Sequence, residues 1–199
     1  MRNLTATLCL TLAVLLGSEG MSESADYQKG VDAYDRGDYA TALREWKPLA
    51  EQGDANAQLG LGWMYRKGRG VAQDDKTAVK WYRLAAEQGD AFAQYNLGLM
   101  YNNGDGVPQD YKTAVKWYIL AAEQGNASAQ GNLGAMYDKG KGVLQDYVRA
   151  HMWYNITAIS GDKVASNNRD IVAKRMTPSQ LETAQNLARE CVRKNYKGC

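Results

Sequence analysis

The chain has 199 residues, of which 45% are hydrophobic and 23% are charged, and its formal net charge is +2 at pH 7. This composition is typical of a folded chain, and the length suits one domain or one short solenoid. Nucleic-acid binding requires a concentrated basic face, which so balanced a charge does not indicate. We therefore expect no nucleic-acid partner.

The first twenty residues have the pattern of a secretory signal peptide, with its boundary between residues 17 and 25. Arg2 supplies a positive charge, Leu4–Leu16 is apolar, and small residues follow at positions 17, 18 and 20. The apolar run is too short for a transmembrane helix of about 20 residues, so we expect no stable membrane span after its removal. An uncleaved signal anchor is the alternative. Export predicts a periplasmic or secreted protein.

Residues 26–53 form an atypical first repeat of two helices. Asp26–Arg36 carries Tyr27, Val31 and Tyr34 on one face, and Tyr39–Gln52 has the apolar spacing of an amphipathic helix. The turn between the two helices is shorter than the corresponding loops later in the chain.

A motif that recurs every 36 residues dominates the rest of the chain. It reads WYRLAAEQG at Trp81–Gly89, WYILAAEQG at Trp117–Gly125 and WYNITAISG at Trp153–Gly161. A fixed period of this length indicates a repeat array. We place three repeats at 54–89, 90–125 and 126–161. The helical spacing within each predicts an all-α fold, an α/α solenoid of helix hairpins.

Each of these repeats begins with a helix, which we call helix A. Asp54, Asp90 and Asn126 are suitable N-cap residues. A recurring Leu, Met and Tyr make one buried stripe, and glycines recur beside it at Gly62, Gly98 and Gly134. Because glycine costs about 1 kcal/mol in a helix interior, we expect two helix backbones to approach closely there.

A glycine-rich loop then leads to the second helix of each repeat, helix B. The loops read GRGVAQD, GDGVPQD and GKGVLQD, and their aspartates are placed to cap helix B. Without a G-K-[ST] sequence or a preceding strand they are not phosphate-binding loops. Their valines, Val71, Val107 and Val143, are expected to fill the gap between the helices.

Residues 162–199 depart from the repeat pattern. Asp162–Lys174 keeps little of helix A, and Thr177-Pro178 begins a last amphipathic helix that continues to about Lys194. We interpret these as C-terminal capping helices. Cys191 and Cys199 are expected to form a disulfide in an oxidising compartment. A redox pair is the alternative, although the Cys-x-x-Cys spacing is absent.

The composite motif AQxxLGxMYxxGxGVxQDxxxAxxWYxxAAxxG resembles the Sel1-like repeat, a relative of the tetratricopeptide repeat. The resemblance covers Tyr27–Gly161, and MTPSQLETAQNLAREC is similar to the helix that follows such arrays in exported bacterial proteins. It implies a right-handed superhelix with a concave, protein-binding face, and an adaptor or scaffold role. Cysteine-rich members have been described as β-lactamase-like, but these repeats contain no cysteine pair.

Positions that differ between copies while the scaffold stays constant are the candidates for partner recognition. On helix A, off the buried stripe, the first two fuller repeats carry most of the large groups. The predicted protein-binding groove consists of Leu59, Trp63, Arg66, Phe92, Tyr95, Leu99 and Asn102. We expect Trp63 and Tyr95 to be the principal anchors. The alternative is that some of these side chains pack against the preceding helix B.

No pattern in the chain indicates catalysis, a metal site or a cofactor. The single histidine, His151, lacks a second His or a Cys for metal binding and is expected to be structural. The leading hypothesis is a non-catalytic, monomeric scaffold that binds a protein or peptide. The alternatives are a cell-envelope hydrolase of β-lactams or peptidoglycan fragments, and a self-associating structural module.

Overall fold

The computed structural model describes residues 25–199, and these residues form ten α-helices without any β-strand. The predicted signal peptide lies outside this part of the chain. The helices are α1 (Tyr27–Asp35), α2 (Tyr39–Glu51), α3 (Ala55–Lys67), α4 (Asp75–Glu87), α5 (Ala91–Asn103), α6 (Tyr111–Ala122), α7 (Ala127–Lys139), α8 (Tyr147–Ile159), α9 (Lys163–Ala173) and α10 (Pro178–Arg193).

The helices pair in chain order as antiparallel hairpins: α1 with α2, α3 with α4, α5 with α6, and α7 with α8. The second helix of each hairpin also packs on the first helix of the next hairpin. The contacts within and between these hairpins therefore join helices that are adjacent in sequence. The fold is therefore the predicted all-α solenoid. We refer to α3, α5 and α7 as the A helices, and to α2, α4, α6 and α8 as the B helices.

Side-chain caps set where the repeat helices begin. An Asp or Asn oxygen accepts hydrogen bonds from backbone N–H groups of the first turn, which would otherwise lack partners. These caps are Asp54, Asp74, Asp90, Asp110, Asn126 and Asp146. The A helices end at Gly68, Gly104 and Gly140, whose φ angles of 64°, 82° and 64° are left-handed. Both helix boundaries thus recur at the same register.

Tyrosine rings of the B helices lie directly on the recurring glycines of the A helices. An added Cβ on Gly98 would lie 2.7 Å from two ring carbons of Tyr118. The same contact joins Gly62 to Tyr82 and Gly134 to Tyr154. The space beside each glycine is therefore filled chiefly by a ring, and at Gly98 the backbone of α6 also lies close, since the added Cβ would be 3.3 Å from the Ala114 carbonyl oxygen.

Three clusters of buried apolar side chains follow one another along the array, and Tyr101 packs against two of them. The loop valines Val71, Val107 and Val143 each pack against one of them, as predicted. Small alanines alternate with large rings in these clusters, which lets adjacent helices interdigitate. Within residues 25–199 no helix combines the length and hydrophobicity needed to cross a bilayer.

The last helix occupies an unexpected place. Instead of forming a hairpin with α9, α10 packs along α8, with Ala184, Ala188 and Cys191 buried. A capping box between Thr177 and Gln180 sets where α10 begins. Beyond its end, a disulfide joins Cys191 to Cys199, whose Cα atoms are 5.5 Å apart. The tail then reaches back to the end of α6, where the Gly198 N–H donates to Glu123 Oε1 at 3.0 Å.

Candidate functional site

The variable positions of the A helices differ widely in how much of each side chain reaches solvent. Phe92 is the most exposed residue of the predicted groove, at 65% of its surface. Trp63 is half-buried, and the Lys67 Nζ lies 5.0 Å from its ring centre. An exposed Phe and a partly exposed Trp next to a cation are typical of binding hot spots. These two side chains are the accessible aromatic groups of the predicted groove.

Three other residues of the predicted groove contribute largely to the core. Leu59 packs against the cluster built from α4 and α5, and Leu99 packs against the next cluster. The Tyr95 ring centre lies 6.1 Å from that of Tyr118 on α6. These side chains are therefore partly used in packing, and Leu59 and Tyr95 lie towards the following helix B rather than the preceding one.

The two polar residues of the predicted groove hold the scaffold together. An Arg66 guanidinium N–H donates to Asn96 Oδ1 at 3.2 Å, which links α3 to α5. The side chain of Asn102 donates to Asn103, and its backbone carbonyl accepts a hydrogen bond from Gln109 at 2.8 Å. Both residues remain partly exposed, so a ligand on this face could still reach them.

A cavity of about 290 Å³ opens on the same face, where the third fuller repeat has small residues. Gly131 stands at the position of Leu59 and Tyr95, and Ala135 stands at the position of Trp63 and Leu99. The cavity is lined by Tyr95, Ala127, Ser128, Gly131, Asn132, Ala135, Tyr154, Thr157, Asp162, Val164, Ala165 and Asn168. Sequence reasoning missed this cavity because it looked for large side chains, although the small residues were visible.

Hydrogen-bonding groups and apolar surface alternate around this cavity. Burial raises the pKa of Tyr154 to about 12, so its hydroxyl stays neutral and can donate at physiological pH. Asn132 and Asn168 add amide groups, while Ala135 and Val164 supply apolar surface. Such a lining suits a peptide segment with both a polar backbone and an apolar side chain.

A ladder of glutamines, which the sequence analysis did not single out, sets the spacing between repeats. Gln58, Gln94 and Gln130 are buried and donate to backbone carbonyls at the end of the preceding helix B, at 3.0 to 3.2 Å. Gln88 and Gln124 then donate to the side-chain oxygens of Gln58 and Gln94. Because the buried glutamines make these bonds internally, they position the A helices and leave their outer surface free for recognition.

The described residues show no arrangement suited to metal chemistry. Within residues 25–199, no three His, Cys, Asp or Glu side chains converge so that they could hold a metal ion. His151 is buried in α8 with 3% of its surface exposed, and its Nδ1 has no hydrogen-bond partner among these residues. Burial lowers its pKa, and Arg169 lowers it further. A neutral, enclosed imidazole of this kind is a packing group.

Comparison with protein families matches the Sel1 repeat at residues 55–90, 91–126 and 127–162. These repeats start one residue later than the boundaries predicted from the sequence. Together they cover more than half of the chain. A search of curated proteins gave no match.

Two solved structures are similar to this chain. A Sel1 repeat protein from Oxalobacter formigenes is 36% identical, with a TM-score of 0.70 over 74% of this chain and 59% of its own. The protein c5321, a protective antigen of uropathogenic Escherichia coli strains that displays an SLR fold, is 30% identical. Its TM-score is 0.61 over 85% of this chain and 45% of its own. The present chain thus spans about half the length of these relatives.

Proposed function

Because the chain belongs to the Sel1 repeat family, we propose that it is a non-catalytic scaffold that binds an extended segment of a partner protein. Sel1 repeats generally serve in protein–protein interaction. The segment lies along the groove formed by the A helices, from Trp63 at one end to the cavity at Gly131 at the other. The observation that carries this proposal is the cavity itself, which continues the face that presents Phe92.

The two ends of the groove contribute different chemistry to this binding. Phe92 and Trp63 offer aromatic surface near the basic groups of Arg66 and Lys67. The cavity at Gly131 offers room for one large side chain and amide groups for its backbone. An anchor buried in a pocket gives affinity, and the flanking polar groups give orientation.

The envelope or the extracellular space is the location we propose for this scaffold. The Cys191–Cys199 disulfide in the structure is stable in oxidising compartments. The signal-peptide pattern at the N-terminus is a second, independent support. Both are compatible with an exported bacterial protein.

A peptide library displayed on phage and selected on the full chain tests the proposal while the partner is still unidentified. We expect enriched peptides that share one large apolar residue. The Trp63→Ala/Phe92→Ala variant should weaken their binding about tenfold, since each truncation removes an exposed anchor. Gly131→Leu should weaken binding as strongly because its side chain fills the cavity. Fluorescence anisotropy with the enriched peptide measures both effects.

Leu144→Ala is the matched control, since Leu144 is 91% exposed on the loop between α7 and α8 and does not line the cavity. Its affinity for the peptide should equal that of the unmodified chain. Thermal unfolding checks that all variants are folded. If no peptide is enriched, or if the enriched peptides bind the groove variants with unchanged affinity, the A-helix groove is not the binding site.

A further inference from the structure

The outer face of the B helices carries a row of basic side chains at repeated positions. Five exposed cations lie on α4 and α6, namely Lys76, Lys80, Arg83, Lys112 and Lys116. Lys76 and Lys112 occupy one repeat position, and Lys80 and Lys116 occupy another. Lys80, Arg83 and Lys116 lie in the middle of these helices, while the nearby carboxylates Asp74, Asp75, Glu87 and Asp110 lie at the helix ends.

The five cations of α4 and α6 have no ion-pair partner in the part of the chain that the structure describes. The salt bridges among residues 25–199 involve other basic groups, and no carboxylate there lies within 4 Å of these five side-chain charges. Asp74 and Asp110, the N-cap residues of α4 and α6, lie near Lys80 and Lys116 but form no salt bridge with them. Cations that no salt bridge holds are available to an acidic partner.

Two clefts with apolar floors lie between the cations. The first, of about 500 Å³, is floored by Val79, Leu84 and Val107 and rimmed by Lys76, Lys80 and Arg83. Leu84 remains 45% exposed. This combination would receive an apolar side chain whose neighbours are acidic.

The second cleft, of about 440 Å³, is lined by Trp117, Leu120 and Lys116, and also by the carboxylate of Glu87. Leu120 is 44% exposed. Arg83 borders both clefts, and its guanidinium donates to the Tyr101 hydroxyl at 2.7 Å. That hydrogen bond holds the cation between the two apolar floors, where a carboxylate of the ligand would meet it.

The chain itself shows that this outer face accepts a helix. At the repeat positions of Lys76 and Lys80, α8 has Val148 and Met152. Met152 is 2% exposed because α10 lies along α8 and covers it. The outer faces of α4 and α6 occupy the same repeat positions but carry lysines, so the apolar face that α10 presents to α8 would not suit them. A helix with carboxylates beside its apolar face would suit them, because the carboxylates would pair with the lysines.

We propose that the outer face of α4 and α6 binds an amphipathic, acidic helical segment of a partner protein. Its apolar residues enter the two clefts, and its carboxylates pair with Lys76, Lys80, Arg83 and Lys116. A nucleic acid would pair with the cations but has no aliphatic groups for the floor of Val79 and Leu84. A membrane surface is flat and would not reach those floors, which lie between elements of the fold. This surface is separate from the A-helix groove and does not depend on it.

The test uses the full chain and a fluorescent synthetic peptide of about 18 residues, long enough to cover α4 as a helix. The peptide carries Leu on one helical face and Glu on the others. We expect binding that weakens with rising salt, since exposed charges are screened. The Lys76→Glu/Lys80→Glu/Arg83→Glu variant should weaken binding at least about tenfold, because three attractive contacts become repulsive. Fluorescence anisotropy gives the affinities.

The matched control reverses three exposed lysines elsewhere, as Lys139→Glu/Lys163→Glu/Lys174→Glu, and should bind as the unmodified chain does. Leu84→Ala/Leu120→Ala should also weaken binding, which separates the clefts from charge alone. If the charge-reversed chain does not fold, the variant with Gln at the same three positions takes its place.

A scrambled peptide of equal composition, an oligothymidylate and anionic phospholipid vesicles complete the experiment. Each should bind at least about tenfold more weakly than the amphipathic peptide, because each lacks apolar groups in register with the clefts. The proposal is overturned if the amphipathic peptide does not bind. It is also overturned if any of these three probes binds as tightly, or if the charge-reversed chain keeps its affinity.

Discussion

At the scale of single residues, the contact between Gly98 and Tyr118 shows how tightly the repeats are packed. The Tyr118 side chain is 1% exposed, and an added Cβ on Gly98 would also lie 3.3 Å from the Ala114 carbonyl oxygen. Neither the enclosed ring nor the backbone can move far. The glycine therefore occurs in the middle of a helix because its neighbour requires the space, despite its low helix propensity.

We expect Gly98→Ala to destabilise the protein by roughly 1 kcal/mol or more. Overpacking costs about 1–3 kcal/mol, and the gain in helix propensity of about 1 kcal/mol offsets only part of it. Urea unfolding followed by circular dichroism measures the change. Gly131→Ala is the matched control, since its Cβ would meet Thr157 at an ordinary 3.7 Å. That variant should be more stable than the unmodified chain, and destabilisation of equal size in both would refute the packing explanation.

His151 is expected to make the stability of the protein dependent on pH. Burial holds its pKa below the ordinary value of 6.5, an effect that Arg169 strengthens and Asp170 opposes. The unfolded chain therefore takes up a proton at higher pH than the folded chain does. The free energy of unfolding therefore does not depend on His151 above pH 6.5, where the imidazole is neutral in both states. It decreases as the pH falls below 6.5, because only the unfolded chain binds the proton readily.

His151→Val tests this expectation, because Val79 and Val115 occupy the same repeat position and are equally buried. The variant should match or exceed the unmodified chain in stability near neutral pH. Its advantage should then grow by at most about 1.4 kcal/mol per pH unit as the solution is acidified towards about pH 5. Urea unfolding at several pH values gives the difference in stability between the variant and the unmodified chain. The titration of all other groups cancels in this difference. An advantage that is constant with pH would show that the pKa of His151 is the same in the folded and the unfolded chain.

At the scale of helices and loops, each glycine-rich loop touches the start of an earlier helix B. Arg69 lies over the Tyr39 ring at 5.6 Å, and Lys141 lies over the Tyr111 ring at 4.8 Å. In the repeat between them the same two positions are Asp105 and Asp75. A favourable cation–π contact is thus replaced by two like charges, with Gly106 packed against the backbone of Asp75.

We expect Asp105→Lys to stabilise the array by about 0.5 kcal/mol, because an attraction to Asp75 replaces a repulsion between partly exposed groups. Asp105→Asn is the control that removes only the repulsion, and it should give a smaller gain. Thermal unfolding at low and high salt measures both changes, and the gain from lysine should shrink as salt rises. A lysine variant less stable than the asparagine variant would contradict the assignment of this contact.

The helices and their caps were predictable because they rest on local rules. N-cap aspartates and left-handed glycines such as Gly68 act within a few residues of chain, and the period of 36 residues shows the same local pattern three times. The glutamine ladder was not predicted, since Gln58 and Gln88 are 30 residues apart and meet only after the repeats stack. The place of α10 was missed for a similar reason. Its apolar face is visible in the sequence, but which helix it covers is decided by Met152 on α8.

At the scale of the whole molecule, the candidate site was predicted only in part. Comparison between repeats found the A-helix positions that vary, and Phe92 and Trp63 are accessible there. Leu59, Tyr95 and Leu99 were harder to judge, because a large apolar side chain can serve the core or a ligand equally well. The cavity at Gly131 exists because this helix lacks the large side chains of the earlier repeats. The row of cations on the outer face cannot be recognised from a total charge that is nearly neutral. Both become visible only when neighbouring repeats are placed side by side.

The neighbour-to-neighbour packing of the helices has a consequence for how the chain folds. Since the extensive contacts of α3 to α7 are all with helices adjacent to them in sequence, their assembly closes only short loops and the entropic barrier of each step is small. The tail differs, because Gly198 meets Glu123 across 75 residues. The repeats can therefore order progressively as they are synthesised, while the contact of Gly198 can form only once the end of α6 is in place.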